Sequence, residues 1–318
     1  MKCSGIILAG GRGSRLGEPK PLLKISGQTM LEKVCTALSE VASEIVVSTS
    51  SQLKDAIMEL NLSEKAGVDV MVVVDLQLGC RGPLRGIVSS LPHVSGEACF
   101  LLASDMPYIS SKLLRTLASR LSERDCVTPV WPDGTIEPLA SVFRLRALKL
   151  ISSILCSLGR RRPGDLVRGA RGAFFQAVSE LPSEEARGLV NVNTSGDFSG
   201  SAGYEVRGEV KSSFEAKLNE SIGYLPPPHR YLGFWPALSA EIDGDYGTAA
   251  SIYESEASMY LKIKLIHLAR HALRDAAWCW SKAGDRQRAE KAEARARSLE
   301  LKLHASFGKG VKGLSPRG

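Results

Sequence analysis

Three glycines, two arginines and a lysine stand close together near the start of the chain: Gly10, Gly11, Arg12, Gly13, Arg15 and Lys20, just after the apolar run Ile6–Leu8. Glycine at these places lets backbone N–H groups turn inward with no Cβ in the way. Inward N–H groups make a nest for anions, and the carboxyl end of a parallel strand is where α/β proteins bind ligands. Arg12, Arg15 and Lys20 add positive charge beside the nest. The chemistry implied is the holding of a polyphosphate. Neither common phosphate loop matches: no Gly-Lys-Ser/Thr opens a helix, and the chain stays irregular for about 18 residues before the next helix.

Acidic and amide residues complete the set. Asp105 ends the run Ala98–Asp105 and precedes Met106-Pro107. A carboxylate at that edge of a strand suits a hard cation such as Mg²⁺, the plainer role being a cap for the helix that follows Ser110. Asp75 closes the run Asp69–Asp75, where a strand-end cap is the plainer role, and Asn191 and Asn193 stand in a strand-to-turn segment. Other chemistry-bearing residues point elsewhere. His267 and His271 lie four apart on a helix with no third ligand near, so a solvated helix face is expected. Trp278 and Trp280 read as packing anchors. Arg160, Arg161 and Arg162 suit either an anionic acceptor or a charged helix end. None of the seven cysteines forms a CxxC pair and most sit in apolar runs, which predicts buried free thiols and a reducing compartment.

These residues need a frame that sets strand ends side by side. Glu44–Thr49, Asp69–Asp75 and Ala98–Asp105 are Val/Leu-rich runs with little alternation, as in strands buried on both faces of a parallel sheet. Between them lie amphipathic helices: Thr29–Val41, opened by a Thr29/Glu32 capping box, then Gln52–Leu60, Leu84–Leu91 and Ser111–Glu123. Alternation of this kind predicts an α/β fold with a doubly wound, mostly parallel sheet. Further on, "CVTPVWPDG" and "IEPLASVFR" read as two strands joined by a turn, Leu145–Leu158 as a helix, and "AFFQAVSEL" with "LVNVN" as a late strand pair.

The chain divides by composition. Residues 1–200 form the α/β domain, the Ser/Gly/Pro-rich stretch 201–230 reads as a linker, 231–306 as a small all-α helical-hairpin domain, and 307–318 as a disordered tail. "GDYGTAASIY" at Gly244 and "GDRQRAEKAE" at Gly284 repeat at a spacing of 40 residues, each Gly-Asp preceding an amphipathic helix, which resembles the tetratricopeptide family. Hydrophobic residues are 44% of the chain and aromatics 6%, ample for a core. No stretch is apolar for long enough to cross a bilayer and no signal peptide is read at the N-terminus, so a cytoplasmic protein without a membrane partner is expected. The net charge of +7 is spread along the chain, which argues against a nucleic-acid groove.

The whole string Leu8-Ala9-Gly10-Gly11…Arg15-Leu16-Gly17…Lys20-Pro21-Leu22 resembles the signature of nucleotidyltransferases, and four further segments agree in order: "GPLRGI", "ASDMPYI", "EPLASVFR" and "VNVNTSGDF". Together they resemble the MobA-like group, typified by molybdenum-cofactor guanylyltransferases. The resemblance spans about 195 residues and implies a Rossmann-like fold and a Mg²⁺ requirement. It implies that Leu8, Ala9, Gly10, Gly11, Gly13, Lys20, Asp75 and Gly82 bind the nucleotide, and that Arg15, Lys20 and Asp105 act in catalysis. Asp105 and Asn193 would hold the metal, and Asn191 and Asn193 the acceptor. Ser195-Gly196 and the prolines on both sides of Lys20 depart from the group's usual pattern and leave the acceptor open. Two functions are expected. One is transfer of a nucleoside monophosphate, GMP first with CMP as the alternative, from an NTP to a phosphorylated acceptor such as molybdopterin, a sugar phosphate or cobinamide phosphate, with pyrophosphate released. The other is a nucleotide-binding scaffold of weak catalysis. The helical domain would serve protein contact or self-association.

Overall fold

The computed structural model describes residues 1–10, 19–192, 208–219 and 233–306. Gly11, Gly13, Arg15 and Asn193, and the tail 307–318, lie outside the described residues. The chain begins with strand β1 (Cys3–Leu8), a short hairpin of β2 (Lys24–Ile25) and β3 (Gln28–Thr29), and helix α1 (Met30–Ser39). The capping box forms: Glu32 N–H donates to the Thr29 hydroxyl, and Thr29 N–H donates to the Glu32 carboxylate at 2.6 Å. Next come β4 (Glu44–Thr49), α2 (Lys54–Met58), α3 (Leu62–Ala66), β5 (Asp69–Val74), α4 (Pro83–Ser90), β6 (Ala98–Ala103) and α5 (Ser111–Ser119). The helix expected over Gln52–Leu60 is the shorter α2, and beyond it the left-handed backbone of Asn61 (φ 51°) precedes the separate helix α3.

Strands β7 (Cys126–Val130) and β8 (Ala140–Arg144), helices α6 (Leu145–Ser157) and α7 (Gly164–Gly169), strand β9 (Gly172–Ala177), helix α8 (Ser183–Gly188) and strand β10 (Phe214–Lys217) complete the α/β part. Its eight-stranded sheet runs β10-β9-β7-β8-β6-β1-β4-β5. β5, β4, β1 and β6 are parallel, while β8 and β10 run against their neighbours. The order reverses beside β1, whose two neighbours are β4 and β6. Crevices at such a reversal, at the strands' carboxyl ends, are the usual ligand sites of open α/β sheets. The residues after Leu189 do not pair with β9 as a strand and are irregular through Val192; β9 pairs with β7 and with β10. The stretch expected as a linker thus supplies the sheet's edge strand β10.

Four helices follow, each packed against the next: α9 (Phe234–Ile242), α10 (Tyr246–Lys262), α11 (Ile266–Lys282) and α12 (Arg286–Ser306). The Gly-Asp repeat is a turn device. Gly244 (φ 80°) and Gly284 (φ 83°) make the left-handed turn, and Asp245 and Asp285 cap the next helix by accepting from the N–H groups of Thr248 and Arg288. Lys264 (φ 64°) takes the same turn midway between them. Ala269, Ala272 and Ala276 of α11, and Ala292 and Ala296 of α12, are fully buried.

One apolar core covers each sheet face. On the first face Ile7 of β1 shares its core with Val34 and Leu38 of α1 and with Leu113 and Leu117 of α5. Across the sheet Ile6, Leu84, Ile151 and Leu166 continue without a break into Trp235, Tyr253, Leu268 and Leu299 of the helical part. A charged cluster is buried in this second junction. Arg168 is fully buried; it donates to Glu256 through Nε (3.0 Å) and Nη2 (2.6 Å), and through Nη1 to Asp165 (2.8 Å) and Asp275 (2.6 Å). Arg160 reaches Asp275 (3.1 Å) and Glu241 (2.6 Å), and Arg162 reaches Asp275 (2.9 Å). Arg160 and Arg162 thus tie the α/β part to the helices through Asp275 and Glu241.

Three other expectations are corrected. His267 and His271 are buried, not solvated, because α11 is covered by α10 and α12 and meets the β7–β8 turn, where His267 N–H donates to Gly134 O at 3.3 Å. Trp280 packs inside, but Trp278 is largely exposed. Cys80 and Cys156 form a disulfide that ties the segment before α4 to the end of α6; Cys3, Cys35, Cys99, Cys126 and Cys279 are buried free thiols. Among the described residues no helix is long and apolar enough to cross a membrane.

Candidate active site

The carboxyl ends of β1 and β6 bring the expected residues together. Ala9 N–H donates to Ser48 O (2.7 Å) and Thr49 Oγ1 to Ala9 O (3.3 Å), so the chain leaving Leu8 is pinned over β4 and Gly10 is held at the mouth of the crevice. On the other side Ser104 N–H donates to Leu8 O at 3.1 Å, which sets Asp105 one residue beyond, beside β1. Lys20 opens a single 3₁₀ turn, Lys20–Leu22, with Pro21 buried beneath it, and the turn is closed by Leu23 N–H on Lys20 O at 3.2 Å. The buried proline and the helix α1 behind it fix where the lysine points. Its Nζ lies 3.5 Å from Asp105 Oδ2. Two residues 85 apart in sequence therefore meet as an ion pair, with the Lys20 side chain 22% exposed and the Asp105 side chain 9%. Val192 N–H donates to Asp105 O at 2.8 Å and draws the buried Asn191 alongside.

Asp75 lies at the end of β5, two strands from β1. Its Oδ1 accepts from the Ser48 hydroxyl, and its Oδ2 lies 3.9 Å from Arg85 Nε. A Cβ on Gly10 would sit 3.6 Å from that Oδ2, so the β1 exit and Asp75 share one wall. Burial pushes the Asp75 carboxyl above the usual range, against the opposing pull of Ser48 and Arg85. Gly82 begins α4 with φ 62°, and Gly86, one turn on, lies so close to Ser48 that a Cβ would overlap its hydroxyl. Glycine there is what allows α4 to carry Arg85 down to Asp75. The Gly82 turn also backs onto Arg161 O, 3.7 Å from where its Cβ would be, in the loop that Arg160 and Arg162 tie to the helical part.

Leu8, Ala9, Gly10, Lys20, Asp105 and Asn191 thus gather at the β1/β6 exit, while Asp75 and Gly82 stand on the β5 side. Gly11, Gly13, Arg15 and Asn193 lie outside the described residues. Sequence reasoning misses Ser48 and Arg85. The signal for Arg85 is its place inside "GPLRGI", just past the Gly-Pro; Ser48, inside an apolar strand, offers none. Among the described residues no three His, Cys, Asp or Glu side chains converge as a metal cluster. A single carboxylate fits a cation that takes its remaining ligands from phosphates and water, which is the habit of Mg²⁺.

The profile of the MobA-like NTP transferase domain matches residues 5–173, just over half of the chain. The chain belongs to that family. Its α/β part is a nucleotidyltransferase domain, with the matched region running from β1 into β9. A relative from Bacillus mycoides, named "Probable molybdenum cofactor guanylyltransferase", is 29% identical over 199 residues, which are 62% of this chain and 94% of the relative. One of the same name from Thermococcus sibiricus is 30% identical over 201 residues, 61% of this chain and 94% of the relative. Among solved structures, molybdopterin-guanine dinucleotide biosynthesis protein A from Archaeoglobus fulgidus aligns with a TM-score of 0.48 at 22% identity, over 62% of this chain and 95% of its own. The four-helix part lies beyond the region the family profile matches.

Proposed function

We propose that this nucleotidyltransferase moves GMP from GTP to a phosphorylated acceptor of the molybdopterin kind. An acceptor phosphate oxygen attacks the α-phosphorus, the bond from the α-phosphorus to the bridging oxygen breaks, and pyrophosphate leaves with that oxygen. The observation that carries this reading is the Lys20–Asp105 pair at the β1/β6 exit, a cation and an anion held 3.5 Å apart by separate elements. Nucleotidyl transfer needs two anions brought together and the charge of the departing pyrophosphate balanced, with no covalent enzyme intermediate; positioning and electrostatics suffice.

Lys20 Nζ would grip the β- and γ-phosphates and follow the charge onto the leaving group. Arg15 and the backbone N–H groups of Gly11 and Gly13 would add further donors to the phosphates. Asp105 would hold Mg²⁺, with Asn193 as a second contact. Bound there, the ion would neutralise phosphate charge and align the α-phosphorus. Asn191, beside Asp105, would face the acceptor. Asp75 would accept from the nucleoside, and the Gly82 turn would close on base or sugar. GTP and molybdopterin are favoured because the curated relatives that span nearly their full length on this chain bear the guanylyltransferase name.

Pyrophosphate release is to be measured with each of the four NTPs and Mg²⁺ against molybdopterin, a sugar phosphate and cobinamide phosphate. Release from GTP that depends on molybdopterin is the expected result. Release that follows another acceptor would move the assignment within the class. Nucleotide binding with no release on any acceptor would favour a scaffold role.

A further inference from the structure

Asp105 and Asp75 mark the ends of β6 and β5, with β1 and β4 between them. Three strand spacings span about 14 Å, roughly the reach of a nucleoside triphosphate from its outer phosphates to its base. If phosphates lie at Lys20 and Asp105, the nucleoside lies at Asp75. Its carboxylate is boxed: Oδ1 takes the Ser48 hydroxyl, and Oδ2 faces Gly10 and the ligand side. Arg85 approaches Oδ2 from α4 at 3.9 Å, too long for a hydrogen bond, and its Nε is buried without a hydrogen-bond partner. The arginine therefore acts on Asp75 as a nearby charge and leaves Oδ2 able to accept from a ligand.

We infer that Arg85 is a positioning residue for nucleotide binding, keeping Asp75 ionised and its Oδ2 turned to the nucleoside. This rests on the nucleotide reading above. Burial of Asp75 favours its neutral form, and among the described residues the charged or polar groups that face it are Arg85 from α4 and Ser48 from β4. A protonated Asp75 would donate where the ligand also donates. Removing Arg85 therefore raises the pH at which binding is lost.

The test is equilibrium binding of GTP with Mg²⁺ to the full chain between pH 4 and 8, for the wild type, Arg85→Met, Arg85→Lys and Ser48→Ala. The ligand's own titration is common to all four and cancels in the comparison. Arg85→Met should shift the acid limb upward by about one pH unit, an opposite charge at this range being worth about one to three. Arg85→Lys, which keeps the charge, should restore most of the limb. Ser48→Ala, which removes the other partner, should shift it in the same direction and guards against a misfolded arginine variant. Coincident acid limbs in the wild type and Arg85→Met would overturn the inference alone. So would an affinity loss of equal size at every pH, since Arg85 would then be touching the ligand itself. A wild type that binds no triphosphate would overturn the nucleotide reading as well.

Discussion

Two charged clusters in this molecule are built to opposite designs. In the junction between the α/β part and the helices, Arg168 is fully enclosed, meets three carboxylates at 2.6–3.0 Å, and lies over the Phe234 ring at 4.4 Å. At the carboxyl ends of the strands the pairs are longer, 3.5 Å for Lys20–Asp105 and 3.9 Å for Arg85–Asp75, and the cationic side chains stay partly accessible. Short, enclosed bonds leave a charge nothing more to do, so the junction is structural. Longer pairs at strand ends cost less to rearrange, which suits the phosphate site proposed there. The junction also shows how the helices are held: a continuous apolar core and a buried salt-bridge cluster join them to the α/β part.

The sharpest way to break the comparison is at the junction. Arg168→Ala leaves Glu256 enclosed without its main partner and takes one of three arginines from Asp275, a fault of about 3–5 kcal/mol, so urea unfolding of the full chain should show its midpoint far below that of the wild type. A change under about 1 kcal/mol would make the cluster no more than a surface-like pair. The Cys80–Cys156 disulfide closes a loop between residues 76 apart. Replacing both with serine should lower stability by about 2–4 kcal/mol, and two free thiols gained on reduction under denaturing conditions check that the bond is present.

A pH dependence is expected at the same junction, small near neutral pH and growing in acid. Burial, aided by Arg270 and Arg162, pushes the His267 imidazole down to about 3, and burial with His267 and the same arginines pushes His271 down too. The unfolded chain takes up protons below about 6.5 while the folded one does not, so stability should fall as the pH drops from 6.5 toward 3. The slope is on the order of 1 kcal/mol per pH unit for each imidazole. Asp275 adds acid sensitivity lower down: burial pushes its carboxyl up, but Arg162, Arg160 and Arg168 outweigh that and hold it well below the usual range. Its contribution is present above about pH 4 and fades only in stronger acid. Unfolding midpoints at pH 7, 6 and 5 for the wild type and His267→Gln measure the first slope; parallel curves would contradict the burial account.

Local patterns carry the site well and the junction poorly. The apolar runs place Leu8, Asp75 and Asp105 at or next to strand ends, and the Thr29/Glu32 box marks the start of α1, because each of these depends on neighbours a few residues away. Lys20 and Asp105 are paired by motif order, and their meeting follows from β1 and β6 lying side by side. The junction rests on partners 88 and 107 residues from Arg168, which no periodicity relates. The histidines mislead for the same reason: an i, i+4 pair looks alike on a solvated helix and on one covered by two neighbours. Trp278 and Trp280 stand two apart, so one faces in and the other out, and composition alone does not say which.

The claim on which the functional account stands is that Lys20 and the carboxylate it meets hold a magnesium-bound triphosphate between β1 and β6. Pyrophosphate release from GTP in the presence of molybdopterin, by the full chain and by Asp105→Ala, with thermal midpoints taken for both, tests it. A loss of about 10²-fold or more in turnover at a matching midpoint is the predicted result. Equal turnover by the two proteins would contradict it.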